Sequence, residues 1–589
     1  MRPRFLLLVS SGDDVPEALI EEIAGRTGLQ RAFVRRPIAA LVNDGCRSLA
    51  VGADSIVLGT LFPCHGPARP LDALEATESV AISETRGDRL ITAYWGGYVA
   101  AIACGRFVRV LRDPSAALPC YFARRAGLVA FASDADLLIE SGFATIEVDW
   151  TALVRQLFNA GVPVPATALR GIAELLPGFA LGFPAEQEQQ VPCWSPWDFV
   201  DRRGGNPAER VERLARSVRQ CVQGWCGRRG RLLLSVSGGL DSSVVAACLA
   251  ELGSDTVCLT MYGEDAAGDE RAYARALCSH LGLQLVERPD LVDDIDISAP
   301  LAAHLPRPFG RTQALSYERA HIDVARAYAA EAFVTGNGGD SVFGYSQSAA
   351  AIADRYLVEG LTPGLFGTLR DVSRQTGCSA LEALAAAVRI ARGPRAYRCR
   401  PDPLFLHRHA LASLGGAVSG HPWLDAPPGA LPGKAAHIGS ILRVQHCMEP
   451  GRNSVLPVIN PLMSQPVMET CLSIPSWEWR AGGRDRSAAR LAFAGSLPDV
   501  VARRRVKGGP DGFAGQILDR YRREITERLT QGHLAQQGII DADAIGGLLR
   551  GGRPVSGEER VRLFQLLGVE AWLDAWKGRA ARARGEGSR

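Results

Sequence analysis

The sequence predicts two domains of different class. Residues 1–200 read as an antiparallel domain of short strands. Residues 208–589 read as a mostly parallel α/β domain with helices on both faces and further helices added. Three observations carry this. A chain of 589 residues is too long for one hydrophobic core. Up to about residue 195, short apolar runs alternate with glycine-marked turns. Beyond residue 207, apolar strands alternate with segments of helical period, the pattern of repeated βα units.

In chain order, Phe5 to Val9 is an apolar strand, at an edge or in the core. With Met1, Arg2, Pro3 and Arg4 it superficially resembles a signal peptide. The apolar part is only five residues long and Ser10, Ser11, Gly12, Asp13 and Asp14 follow at once. Residues 89–94, 97–104 and 106–111, split by Gly96-Gly97 and Gly105, predict an antiparallel meander. Residues 127–132 add a strand and 134–141 a short helix. The polar, Gly- and Pro-containing stretch 201–207 is the expected linker.

In the second domain, 231–236 is a strand. Residues 241–252 form a helix, with Val244, Cys248 and Leu252 on one face. Strands follow at 256–262, 284–287 and 332–335, and helices at 270–281 and 316–330. Residues 346–440 read as helical and irregular, without a motif. Helices resume over 441–513, and 577–589, with scattered Arg and Gly, reads as a disordered tail.

Hydrophobic residues make up 47% and charged residues 22%, as in ordinary globular chains. Lys plus Arg number 66 and Asp plus Glu 63, a net charge of +3, which gives no basis for nucleic acid as a main partner. No apolar run reaches the length of a membrane span. None of the 14 cysteines forms a Cys-x-x-Cys pair, and most sit in apolar runs as buried small hydrophobes. A reducing, cytoplasmic setting is expected.

The chemistry concentrates at Ser237-Gly238-Gly239-Leu240-Asp241-Ser242-Ser243, just after Ser235, where a strand turns into a helix. Two glycines let the backbone approach an anion closely. Free N–H groups and the helix dipole favour negative charge at that point, and Ser hydroxyls add donors. The Gly-Lys-Ser ending of a Walker loop is absent, so the loop suits pyrophosphate leaving as the α-phosphate of ATP is attacked. Asp241 would repel phosphate without a cation between them. Mg²⁺, which prefers carboxylate and phosphate oxygens, is the natural one. Thr335-Gly336-Asn337-Gly338-Gly339-Asp340 repeats the theme after another strand. Asp241 and Asp340 are therefore expected to share metal or to bracket one triphosphate at the carboxyl ends of the strands. Lys507, in an Arg-rich run, is either a cation for the α-phosphate or part of a solvated surface.

These elements, in this order, resemble the synthetase domain of class B asparagine synthetases. In that resemblance Thr260 and Met261 match the adenine-binding segment, Leu456 to Asn460 a Val-Pro-Phe-Leu-Asp stretch, and Lys507 a late lysine. Arg112-Asp113-Pro114, Tyr121, Phe131-Ala132-Ser133 and Leu176-Pro177-Gly178 are similar to the glutaminase half. The resemblance implies an Ntn-hydrolase-like sandwich followed by a PP-loop α/β domain. It also implies Lys507, Asp241 and Asp340 as catalytic, the two carboxylates as metal ligands, and Ser235, Ser237 to Ser243, Met261, Thr335 and Gly336 at ATP.

The departures are informative. Arg2 stands where glutamine-dependent members carry a nucleophilic Cys, so the first domain is expected not to release ammonia. β-Lactam synthetases and lasso peptide cyclases also lack that nucleophile. The Tyr and Glu of the β-lactam dyad align with Asn337 and Asn453, neither of them a general base. The 505–513 segment and Gly338 to Phe343 look more like the cyclases. That likeness implies closure of a macrolactam on a precursor peptide, with a leader peptidase and a leader-recognition protein as partners. The base is unassigned, with Glu318 and Glu449 near the matching segments. A β-lactam synthetase, an ammonia-fed asparagine synthetase and a non-catalytic scaffold are the rival expectations.

Overall fold

The computed structural model describes residues 2–11, 14–105, 107–159, 161–184, 189–200, 205–263, 268–415, 420–448, 451–504 and 511–583. Lys507, Glu449 and most of the expected linker lie outside them.

The first part holds two six-stranded sheets whose strands pair antiparallel. Phe5–Ser10 is an interior strand, paired with Ile38–Val42 on one side and Leu128–Ala132 on the other. Its period of two serves two cores. Phe5, Leu7 and Val9 face the second sheet, while Leu6 and Leu8 face Ile20 and Ile23 of the helix Glu17–Thr27. Burial on both faces is why the run is continuously apolar.

Of the expected strand 89–94, residues 89–93 are helical. They belong to the helix Asp88–Ala93, and the strand starts at Tyr94. Six residues set no clear period, and adjacent Leu90 and Ile91 are both buried, which suits a helix better than a one-sided strand. Gly87, at φ 93°, turns the chain, and Thr85 Oγ1 accepts the Arg89 N–H at 3.1 Å. Gly96-Gly97 is no break either, because the strand Tyr94–Cys104 runs straight through it. A Cβ on Gly96 would lie 2.0 Å from the Thr60 carbonyl oxygen, so glycine there permits close approach of the neighbouring strand.

The second part is built on a five-stranded parallel sheet in the order Gln284–Pro289, Thr256–Tyr262, Leu232–Ser235, Ala332–Val334, Val458–Ile459. Leu232 and Leu234 join one core, with the helix Leu240–Glu251. Leu233 joins another, with the helix Leu315–Ala327. Both faces are therefore covered, as parallel sheets require. From Leu232–Ser235 the chain first builds one flank, then crosses to Ala332–Val334 on the other. That change of direction opens a crevice at the strands' carboxyl ends.

Three helices, Ala350–Glu359, Pro363–Thr376 and Ala380–Arg392, pack together over their own small core. The last begins with a capping box, Ser379 with Glu382. Ser379→Ala removes the hydroxyl that accepts the Glu382 N–H and donates to the Glu382 carboxylate. It leaves the Ser379 backbone N–H bond in place, and should cost about 1 kcal/mol in a urea melt.

Residues 577–583, expected as disordered tail, belong to the helix Gly557–Ala583. Buried Trp572 and Trp576 anchor it in the core that includes Leu6 and Leu8, and Arg579 pairs with Asp136 at 2.8 Å. The Arg-rich composition masked this apolar stripe. All fourteen thiols are free, and no helix among the described residues is long and apolar enough to cross a membrane.

Candidate active site

The two glycine-rich turns leave adjacent strands, Leu232–Ser235 and Ala332–Val334, and meet in the crevice. Their backbones nearly touch. A Cβ on Gly336 would lie 2.5 Å from the Ser242 nitrogen, and one on Gly339 would lie 2.4 Å from Asp241 Cβ. Gly238, at φ 60°, turns the first loop beneath Tyr273. The space between the turns is a cavity of about 490 Å³, lined by Ser235, Ser237, Asp241, Ser242, Thr260, Met261, Thr335, Gly336, Asn337 and Asp340 among others.

The loop organises itself. Ser242 Oγ accepts the Ser237 N–H at 3.4 Å, and Ser237 Oγ accepts the Gly239 N–H at 3.4 Å. Not every expected donor faces the cavity. Ser243 is buried and its hydroxyl donates to the Gly239 carbonyl at 2.7 Å, and the Leu240 side chain is in the core. These two can offer only backbone groups. Ser235 Oγ lies 2.6 Å from His321 Nε2. His321 Nδ1 lies 2.7 Å from the Tyr317 carbonyl, which can only accept, so Nδ1 carries the proton and Nε2 accepts from Ser235. Burial holds this imidazole well below its ordinary pKa, hence neutral.

In the second turn, Thr335 Oγ1 donates to Asn460 Oδ1 at 2.6 Å and accepts the Asn337 N–H at 3.0 Å. Asn460 belongs to the 456–460 stretch, whose Val458–Ile459 forms the fifth strand. Asn337 lines this cavity, whereas Asn453 lines a separate one of about 400 Å³ and accepts the Val458 N–H at 3.3 Å. The two asparagines therefore form no dyad.

Asp241 and Asp340 converge. A single nitrogen, Arg486 Nη1, lies 3.0 and 3.1 Å from the two Asp241 oxygens and also bonds Asp340 Oδ1. Sequence reading missed Arg486, which lies 245 residues from Asp241 with no motif to mark it. Arg504 was missed too. It donates to the Ser237 carbonyl at 3.2 Å and pairs with Glu270 at 2.6 Å. Glu318, one candidate base, is buried and bonded to Arg452 through both its backbone N–H, at 2.7 Å, and its guanidinium, and it does not line the cavity between the turns.

The convergence fits Mg²⁺. The paired carboxylates already share one cationic group. Among the described residues no cluster of three or more acidic, His or Cys side chains forms a closed cage. Nucleotide-bound Mg²⁺ typically takes one or two carboxylates plus phosphate oxygens, which is what Asp241 and Asp340 offer.

A doubly covered parallel sheet with paired glycine turns at its switch point is an arrangement suited to binding a nucleotide. The asparagine synthase family profile matches residues 212–415 and 452–574, more than half of the chain. The chain belongs to that family. No curated protein sequence matches it. Among solved structures, it is similar to an NMN synthetase from Francisella tularensis at 16% identity, covering 24% of this chain and 60% of that one, with a TM-score of 0.17. It thus spans less than two thirds of that synthetase. A glutamine phosphoribosylpyrophosphate amidotransferase from B. subtilis, complexed with ADP and GMP, is 10% identical over 56% of this chain and 90% of its own, TM-score 0.21.

Proposed function

We propose that the chain is a lasso peptide cyclase. It adenylates an Asp or Glu side chain of a ribosomally made peptide and joins it to the peptide's N-terminal amine, releasing AMP and pyrophosphate. The observation that carries this reading is the exposed apolar surface of the three-helix module. Leu361, Phe366 and Leu381 there are 80%, 64% and 80% exposed. A free amino acid substrate has no use for such a surface, whereas a folded peptide held before ring closure does.

The first domain supports a substrate that brings its own amine. Burial pushes the thiols of Cys46, Cys64, Cys120 and Cys193 up to about 12, so none is a thiolate nucleophile at neutral pH. Arg2 and Arg4 both pair with buried Asp134, at 3.0 and 3.1 Å.

In this reading the N–H groups of the 237–243 turn receive pyrophosphate, and Thr260 and Met261 seat adenine. Asp241 and Asp340 hold Mg²⁺, which when bound neutralises charge on the phosphates. Lys507 stabilises charge as AMP leaves. Positioning is the largest contribution, since holding amine and acyl group in contact supplies up to roughly 7–11 kcal/mol of the barrier. An α-amine of pKa about 7.7–8.0 is partly neutral at pH 7 and needs no dedicated base. A leader peptidase and a leader-recognition protein are the partners this reading requires.

The test is mass spectrometry of a candidate core peptide incubated with the chain, ATP, Mg²⁺ and a matching peptidase. Loss of one water together with AMP release is the expected result. Asparagine formed from aspartate and ammonium, with the peptide untouched, would replace this reading with an ammonia-fed synthetase.

A further inference from the structure

We propose that Arg486 is a built-in counter-cation of this site: it competes with the divalent metal for Asp241 and Asp340, and on displacement it turns to the pyrophosphate end of the nucleotide. The proposal rests on reading those two carboxylates as the metal ligands.

The guanidinium has two ends with different jobs. Its Nη1 engages both oxygens of Asp241 and one of Asp340. Its Nε and Nη2 hold Asp485 at 2.9 and 2.8 Å, and Asp485 is itself held by Arg490 at 2.8 Å. Nη1 is thus the working end and Asp485 the anchor. The Tyr345 ring lies 5.5 Å from the guanidinium, in cation–π contact with it.

The backbone supports a functional placement. Arg486 has φ 52°, a left-handed conformation that is uncommon for a residue with a Cβ. Strain of this kind persists where the surroundings fix it, and it concentrates at functional positions. Here the helix Ser487–Ala492 starts at once, and the Arg490 N–H donates to the Arg486 carbonyl at 3.1 Å.

Competition follows from atom counting. Both Asp241 oxygens face Nη1, and a metal that binds them must take the place of that nitrogen. The displaced group stays tethered to Asp485, close to the loop that leads into the helix Leu240–Glu251. The nearest new anion is then the nucleotide's phosphate, for which a planar guanidinium is well shaped. Metal alone must expel Arg486 with nothing to receive it. Metal with nucleotide supplies both a replacement cation for the carboxylates and an acceptor for the arginine. Binding of the two is therefore cooperative, and Arg486 is the coupling element.

The experiment is Mn²⁺ titration of the full chain followed by electron paramagnetic resonance, with and without the non-hydrolysable analogue AMPCPP. In wild type, AMPCPP should tighten Mn²⁺ binding at least about tenfold. Arg486→Gln should bind Mn²⁺ alone at least about tenfold more tightly than wild type and lose most of the AMPCPP gain. Equal or weaker Mn²⁺ binding by Arg486→Gln overturns the proposal. Asp485→Asn leaves Arg486 on the carboxylates but frees its anchor, so Mn²⁺ binding alone should be unchanged and the AMPCPP gain should shrink. An unaltered gain there also overturns it. Thermal melts check folding, and if Arg486→Gln does not fold, Asp485→Asn carries the test. Because no peptide is present, these results stand apart from the product assay, and either can fail without the other.

Discussion

Asp241→Asn should reduce ATP-dependent AMP release by about 10²–10³-fold while leaving the fold intact. The substitution keeps shape and volume and removes one charge. Asp241 is the more buried of the pair, its side chain 13% exposed against 56% for Asp340. Solvent screens its charge less, so losing it should cost more, and Asp340→Asn should show a clearly smaller defect. Stability should hardly change, because Arg486 keeps Asp340 and Asp485 as partners. Pyrophosphate exchange with labelled ATP reads the first step by itself. Near-normal exchange in Asp241→Asn would remove the paired-carboxylate site from consideration. A larger defect in Asp340→Asn would reverse the assignment of the principal ligand.

Much of this site was legible in the sequence because its signals are local. A strand, two glycines, an acidic residue and a helix follow one another within Leu232–Glu251, and their spacing shows the turn. The central position of Leu232–Ser235 follows from its apolar run between βα units. What the sequence hid was non-local. Arg486 reaches Asp241 across most of the second domain, and nothing in its neighbours, Arg484 and Asp485, distinguishes it from a solvated charge run. The hydroxyls of Ser235 and Ser243 look equally free on paper, yet His321 and a carbonyl take them. The helix at Asp88–Ala93 was misread because Ile, Thr and Tyr favour strands, while its start depends on Gly87 and Thr85 just upstream. At the C-terminus, buried Trp572 and Trp576 outweigh the arginines around them.

Gly339→Ala should impair the enzyme nearly as severely as loss of the carboxylate, for a different reason. Gly339 is not among the glycines with positive φ, so alanine meets no backbone penalty there. The obstacle is space. The new methyl would lie 2.4 Å from both Cβ and Cγ of Asp241, where no real contact is that short. One of the two turns must move, by the order of 1 Å. A displacement of that size costs about 10²-fold in rate when it misplaces a reacting or metal-holding group. Overpacking should also lower stability by roughly 1–3 kcal/mol. Gly367, in the helix Pro363–Thr376, is the matched control, since a Cβ there meets nothing within 4 Å. Alanine at Gly367 should stabilise by about 0.4–1 kcal/mol and leave AMP release unchanged. The pair of variants separates the site's tolerance of alanine from the chain's. If Gly339→Ala melts like wild type and still releases AMP at the wild-type rate, the two turns do not need their contact, and the cavity between them is not where ATP reacts.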